Sequence, residues 1–249
     1  MLGAHSAFWR FGAFRRTGNE TQLIEEPDLA MALIAGPDGN TLVVYGEPER
    51  AVGDMRRLRG SEHDFVETMI NRETYEALDS SLREYYGPHW GYAWDFFWTQ
   101  TPLKPVDHCE RVEFLRAGSA QLKAVENDVR NALIATNPIT GAIDRFADLD
   151  WFILRADNGE IVTVMGATQG EGMSFEGLGT VPKYRGLGYG GATMVGAVNL
   201  ALQLVNHVQF GVWAWNMDAM RLYRRLGLNH DGALITGRTL PFDDLRSKT

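Results

Sequence analysis

The sequence predicts an α/β (α+β) chain: a central mixed, mostly antiparallel sheet flanked by helices, preceded by a smaller mixed α/β N-terminal domain. Three observations carry this. Asp157-Asn158-Gly159-Glu160 is a hairpin signal between two apolar runs. Leu122, Val125, Val129 and Leu133 recur at helical spacing. A glycine cluster at 186–191 stands between a predicted strand and a predicted helix. Two prolines in Thr99-Gln100-Thr101-Pro102-Leu103-Lys104-Pro105 favour an extended connector, so the domains are expected at 1–105 and 106–249.

The elements of the first domain read less clearly. Thr41–Tyr45 predicts a strand after the turn Pro37-Asp38-Gly39-Asn40, and 72–84 predicts a helix. From Tyr85 to Trp98 an aromatic falls on every second residue: Trp90, Tyr92, Trp94, Phe96, Trp98. Successive strand residues point to opposite faces, so this predicts a strand with one aromatic face and Asp95 on the other, unless the strand is bulged.

After the connector, Val112 and Phe114 alternate with charged residues as in a strand. Gly118-Ser119 starts the helix of Leu122 to Leu133, and Asn137-Pro138 stops it. Trp151–Leu154 and Ile161–Met165 form the hairpin arms around a type I′ turn, and Met173–Val181 is a third strand. A helix carries Val195, Val198, Leu202 and Val205. The strand Val208–Trp215 follows, then a helix capped by Asn216 and ended by Leu226-Gly227, and a last strand near Ala233–Thr239. The order is β-α-β-β-β-α-β-α-β.

With 249 residues, 45% apolar and 22% charged, the chain can bury a real core. The lone Cys109 excludes an intrachain disulfide and a multi-cysteine zinc site, and the six histidines form no HxH or HExxH pattern, so no metal is expected. A single cysteine fits a reducing, cytoplasmic setting. A net charge of −8 argues against nucleic-acid binding, which relies on basic surface. No apolar stretch approaches the ~20 residues of a membrane span, and no signal peptide is recognised.

Arg185-Gly186-Leu187-Gly188-Tyr189-Gly190-Gly191 is the most informative segment. Glycines let the backbone approach a ligand and turn successive amides into one concavity at the positive end of a helix dipole, a phosphate or pyrophosphate site. Gly186-x-Gly188-x-x-Gly191 matches the dinucleotide fingerprint, but no carboxylate follows at the expected distance and hairpin strands precede it, which count against NAD. A Walker loop is excluded, because no Gly-Lys-Ser/Thr follows.

Read instead as Arg185-x-x-Gly188-x-Gly190 behind Leu178-x-Thr180-x-Pro182-x-Tyr184, the segment resembles the acyl-CoA loop of the GNAT N-acetyltransferase superfamily. Asn216-x-x-Ala219-x-x-Leu222-Tyr223-x-x-Leu226-Gly227-Leu228 resembles its second motif, with Leu228 where the family often has phenylalanine. The resemblance covers about residues 106–249 and implies a GNAT fold with acetyl-CoA as acyl donor. It also implies that backbone around Leu178, Gly179 and Thr180 pairs with the pantetheine arm. Arg185, Gly186, Leu187, Gly188, Tyr189, Gly190 and Gly191 would hold the pyrophosphate, and Asn216 would contact the donor. Tyr223 is then the candidate general acid, since a phenol with pKa ~10 is protonated at neutral pH.

Glu176 is the candidate base, placed by simple alternation on the strand face of Leu178; a bulge would flip that parity, Glu171 is a weaker candidate, and a water chain could serve instead. Cys109 is a bystander, because direct attack by an amine needs no enzyme nucleophile. The N-terminal domain has the size of a degenerate GNAT-like half but no glycine loop. Trp90 and Trp94 are candidate acceptor-site residues by cation–π contact, or else interdomain core. The expected partner is a small-molecule or protein amine; its identity and the oligomeric state are not written in the sequence. A non-catalytic acyl-CoA sensor and a nicotinamide enzyme are the competing readings.

Overall fold

The computed structural model describes residues 3–12, 20–36, 38–60, 65–138 and 140–241. Pro37 of the expected turn lies outside the described residues. The chain divides into two compact units: 1–97 with 212–217 and 230–248, and 98–211 with 218–229. The first unit takes in two late segments of the chain besides its N-terminal stretch.

The first unit opens with α1 (Ala7–Phe11), capped by the Ser6 side chain, which accepts from Trp9 N. Strands β1 (Glu20–Glu25), β2 (Leu29–Gly36) and β3 (Gly39–Gly46) run antiparallel in turn. Helix α2 (Pro48–Leu58) then crosses to β4 (Phe65–Asn71), which is parallel to β3. The predicted helix over 72–84 is two helices, α3 (Arg72–Ala77) and α4 (Ser80–Tyr86). Asp79 breaks it by accepting Leu82 N at 2.9 Å as an N-cap, a role for which short acidic side chains are favoured. Strand β5 (His89–Thr99) follows, and β11 (Asn229–Arg238) pairs antiparallel with β4. Leu29, Met31, Leu42, Val44, Met55, Ile70, Leu82 and Tyr86 form the core.

The aromatic face expected on β5 is split. Tyr92 takes φ +49°, and one residue of irregular backbone moves later side chains to the other face. Trp90 packs on Tyr75 of α3 with centroids 4.9 Å apart and donates from Nε1 to Arg83 O. Trp94 and Phe96 both pack on Phe8 of α1. Asp95 is 3% exposed, held by Arg72 Nη2 at 2.8 Å and His230 Nε2 at 2.6 Å.

The second unit contains β6 (Glu113–Leu115), α5 (Ala120–Thr136), β7 (Asp150–Arg155), β8 (Ile161–Gln169), β9 (Met173–Thr180), α6 (Tyr189–Ala201), most of β10 (Val208–Trp213) and most of α7 (Met217–Leu226). Its strands run β10-β9-β8-β7-β6, antiparallel except for the β9–β10 pair. With β11 added, the element order is the one read from the sequence. Ser119 caps α5 by accepting Leu122 N, and Leu122, Val129 and Leu133 bury against Trp151, Ile153 and Val164. The β7–β8 turn departs from type I′: Gly159 has φ +82° while Asn158 is not among the residues of positive φ, and the register slips between Leu154 and Arg155. A turn closed by Gly159 N to Ala156 O, followed by a left-handed glycine, is the three-residue hairpin with a bulge.

Candidate active site

Strands β9 and β10 pair only at Val208↔Met173 and Gln209↔Ser174. Beyond these residues they diverge, and a cavity of about 40 Å³ opens, lined by Met165, Phe175, Glu176, Gly177, Leu178, Met194, Phe210, Gly211 and Tyr223. A bulge on β9 shapes its wall. Gly166 faces Glu176 and Val164 faces Gly179, so two steps on β8 match three on β9. Gly177, at φ +68°, supplies the left-handed residue this requires.

The bulge corrects the simple alternation. Glu176 Cγ lies on the face of Gly166, beside Leu149 and Trp151 of the core under α5. Gly179 is on that face too, where a Cβ would collide with Thr136 Oγ1 of α5. Packing on α5 alone therefore demands glycine at 179. Met165 belongs to the opposite face, two residues from Thr163, whose hydroxyl bonds Thr193 of α6. Leu178 shares that face, next to Gly179, so Glu176 and Leu178 do not share one. The cavity thus threads the gap in the sheet, with Glu176 at the α5 side and Met194 of α6 at the other.

Tyr223 sits at the α6 side. It is 6% exposed and packs edge-to-face on Phe210, centroids 4.7 Å apart. The end of α7 fixes it: Gly227 takes φ +90°, its N–H donates to Arg224 O, and Leu228 N donates to Tyr223 O at 3.1 Å. These two bonds close the last turn as in a Schellman motif, as Leu226-Gly227 predicts. Burial pushes the Tyr223 phenol up to about 12.

The loop from β9 to α6 runs through a single turn, Pro182–Tyr184, to Gly188, which stands at the N-cap of α6. Gly186 and Gly188 have φ +80° and +85° with open space where a Cβ would be. No side chain caps α6 and no acidic residue stands in its first turn. Its amides at Tyr189, Gly190 and Gly191 are the groups that bind anions at helix starts. Gly190 also has a packing reason, since a Cβ there would lie 3.1 Å from Thr180 Oγ1. Leu187 is 60% exposed.

Arg185 braces the loop, donating from Nε to Thr180 O at 3.1 Å and from Nη2 to Thr136 O at 3.5 Å. Lys183 Nζ and Tyr184 OH both bond Glu160 of the β7–β8 turn, at 2.6 and 2.7 Å. Those donors hold the Glu160 carboxyl down at about 2. The glycines are therefore presented by an anchored frame.

The structure brings Leu178, Glu176 and Tyr223 to one cavity and Thr180, Arg185 and Gly186–Gly191 to one loop. Asn216 directly precedes α7, within the residues that join the first unit. Trp90 and Trp94 have the partners given above, and neither is among the lining residues. Sequence reading missed Met165, Phe175, Met194 and Phe210, which look like ordinary core positions. It also missed Arg145, whose Nη1 lies 3.4 Å from Glu176 Oε1. The alternation Val208, Phe210, Val212 was a usable signal for Phe210; nothing in the sequence marks Arg145. Among the described residues no group of three or more His, Cys, Asp or Glu is placed to hold a metal, and no helix is long and apolar enough to cross a membrane.

The chain is similar to known proteins in sequence motif and in fold. Residues 122–228 match the model of the acetyltransferase (GNAT) family. A GCN5-related N-acetyltransferase from Kribbella flavida superposes with TM-score 0.52 at 17% identity, over 93% of each chain. One from Sphaerobacter thermophilus gives 0.51 at 17% identity, over 88% of this chain and 79% of that one. A GNAT-family acetyltransferase from Colwellia psychrerythraea gives 0.53 at 12% identity, over 89% and 85%. Among curated proteins no sequence matches. Residues 122–228, which hold the glycine loop, the bulged β9 and Tyr223, are accordingly a GNAT-family acetyltransferase domain.

Proposed function

We propose that this chain transfers an acetyl group from acetyl-CoA to a primary amine by direct attack in a ternary complex. The observation that carries this reading is the cavity between β9 and β10, with a buried phenol at its α6 side and a carboxylate at its α5 side. A donor whose pyrophosphate rests on the α6 amides can lead its thioester into the gap from the Tyr223 side. An amine can reach the same gap from the Glu176 side. The amine nitrogen attacks the thioester carbonyl, the C–S bond breaks, and the Tyr223 hydroxyl gives its proton to the leaving thiolate. Glu176, directly or through water, takes the proton the amine must lose.

The cavity, about 40 Å³, is small, which favours a short acyl group. Trp90 and Trp94 are not needed in this reading and serve the first unit's packing. The lone Cys109 and acetyl-CoA as donor fit a cytoplasmic enzyme, and the net charge of −8 fits an amine acceptor better than nucleic acid.

The test is release of free CoA from acetyl-CoA over a panel of primary amines. Release that depends on an amine and is lost in Tyr223→Phe supports the reading. Tight acetyl-CoA binding with no release for any amine would favour a non-catalytic sensor. A thermal shift produced by NAD(H) and not by acetyl-CoA would contradict both.

A further inference from the structure

The carboxylate at the acceptor side of the cavity already has a cation of the protein's own. Arg145 reaches it from the segment between α5 and β7, with Nη1 3.4 Å from Glu176 Oε1 and Nη2 3.4 Å from Thr168 Oγ1. Both contacts are at the long limit of a bond. The Arg145 side chain is 53% exposed and that of Glu176 30%. Exposed pairs of this kind are weakly held and salt-sensitive. Asp144 and Asp148, both exposed, flank Arg145 in the chain.

We infer that Arg145 stands in for the ammonium of the acceptor, so that a cationic primary amine binds by displacing the guanidinium from Glu176. The inference rests on the acetyl-transfer reading for the identity of the site and adds its substrate class. A carboxylate beside the reacting gap is complementary to an ammonium, and its present partner is a guanidinium cation. A loosely held internal cation can be exchanged for an external one at little cost. Asp144 and Asp148 offer the released guanidinium new carboxylates. Arg145 is thus a positioning residue: it keeps Glu176 oriented in the empty site and sets a threshold that uncharged molecules do not pass.

The experiment is a calorimetric titration of butylamine, with 1-butanol as the uncharged control, into the full-length protein and its Arg145→Gln, Arg145→Lys and Glu176→Gln variants. Arg145→Gln should bind butylamine at least about fivefold more tightly than wild type, Arg145→Lys should stay near wild type, and Glu176→Gln should lose the binding. In CoA-release assays Arg145→Gln should lower the KM for the amine by the same factor with kcat unchanged. Butylamine binding that is equal or weaker in Arg145→Gln, or undetectable in every variant, overturns the inference. CoA release with unmoved amine affinity would leave the acetyl-transfer reading standing and remove this one. Tightened amine binding without CoA release would do the reverse.

Discussion

In the first unit β3 leads through α2 to β4, and the two strands stay paired from Asn40↔Phe65 to Val44↔Ile70. In the second unit β9 leads through α6 to β10, and pairing stops after two residues. Both crossovers follow two antiparallel hairpin steps and both end in a parallel strand. The side chains decide which one opens. Asn71, fully buried, accepts Gly46 N at 3.2 Å and donates to Gly46 O at 3.1 Å, fastening the end of β4 to the end of β3. Where β9 nears its end, the bulge at Gly177 turns the strand instead.

The connections differ as sharply. Helix α2 begins with Glu47-Pro48-Glu49: the proline removes an amide and the carboxylates meet the positive helix end, which disfavours an anion there. Helix α6 begins with Gly188-Tyr189-Gly190-Gly191 and no acid. One topology can be a closed structural half or a binding half, according to a few residues at the crossover.

Breaking the closed crossover should have the largest effect. Asn71→Ala leaves the Gly46 N–H and C=O without these partners in a buried place, at about 1–3 kcal/mol for each group. We expect a loss of about 2–6 kcal/mol in denaturant unfolding, with acetyl-CoA affinity of the folded protein unchanged. A parallel loss of affinity would mean that the first unit shapes the donor site.

In the open crossover, Tyr223→Phe keeps the ring on Phe210 and removes the proton donor. The expected result is a ~100-fold fall in kcat, about 2.7 kcal/mol, with the acetyl-CoA Kd little changed. A variant with wild-type kcat would reduce Tyr223 to packing. The same phenol gives a pH prediction. Because its pKa is raised by burial from 10 to about 12, the stability it contributes by staying protonated in the fold is complete below pH 10 and is lost as pH rises toward 12. Steady-state kcat should accordingly show no loss of the acid near pH 10, and Tyr223→Phe should flatten the alkaline part of the unfolding profile.

The smallest expected effect is in the glycine loop. Gly188→Val puts a β-branched residue at φ +85°, a conformation such residues avoid. Acetyl-CoA should bind at least about tenfold more weakly, about 1.4 kcal/mol, by calorimetry. A Cβ meets no neighbour here, but the positive φ strains any residue with a side chain, so Tm should fall and the affinity is read on the folded protein.

How much of this could be read in advance follows from the range of the forces involved. The glycine loop, the Ser119 cap and the Gly227 stop are local and were legible in the sequence. Tyr223 was legible because its motif fixes its helix. The split of α3 and α4 at Asp79 was not, because helical periodicity runs through both. The faces of Glu176 and of the β5 aromatics were misread for one shared reason: alternation cannot reveal the irregular residue, Gly177 or Tyr92, that inverts it. Arg145 was invisible because its role depends on a carboxylate 31 positions later in the chain brought close by folding.

The stoichiometry of acetyl-CoA binding to the full-length chain, measured by calorimetric titration, decides whether the crossover at α6 alone holds the acyl donor. The predicted result is one acetyl-CoA per chain. Two per chain would contradict the closed reading of the first unit, and none would contradict the donor site at α6.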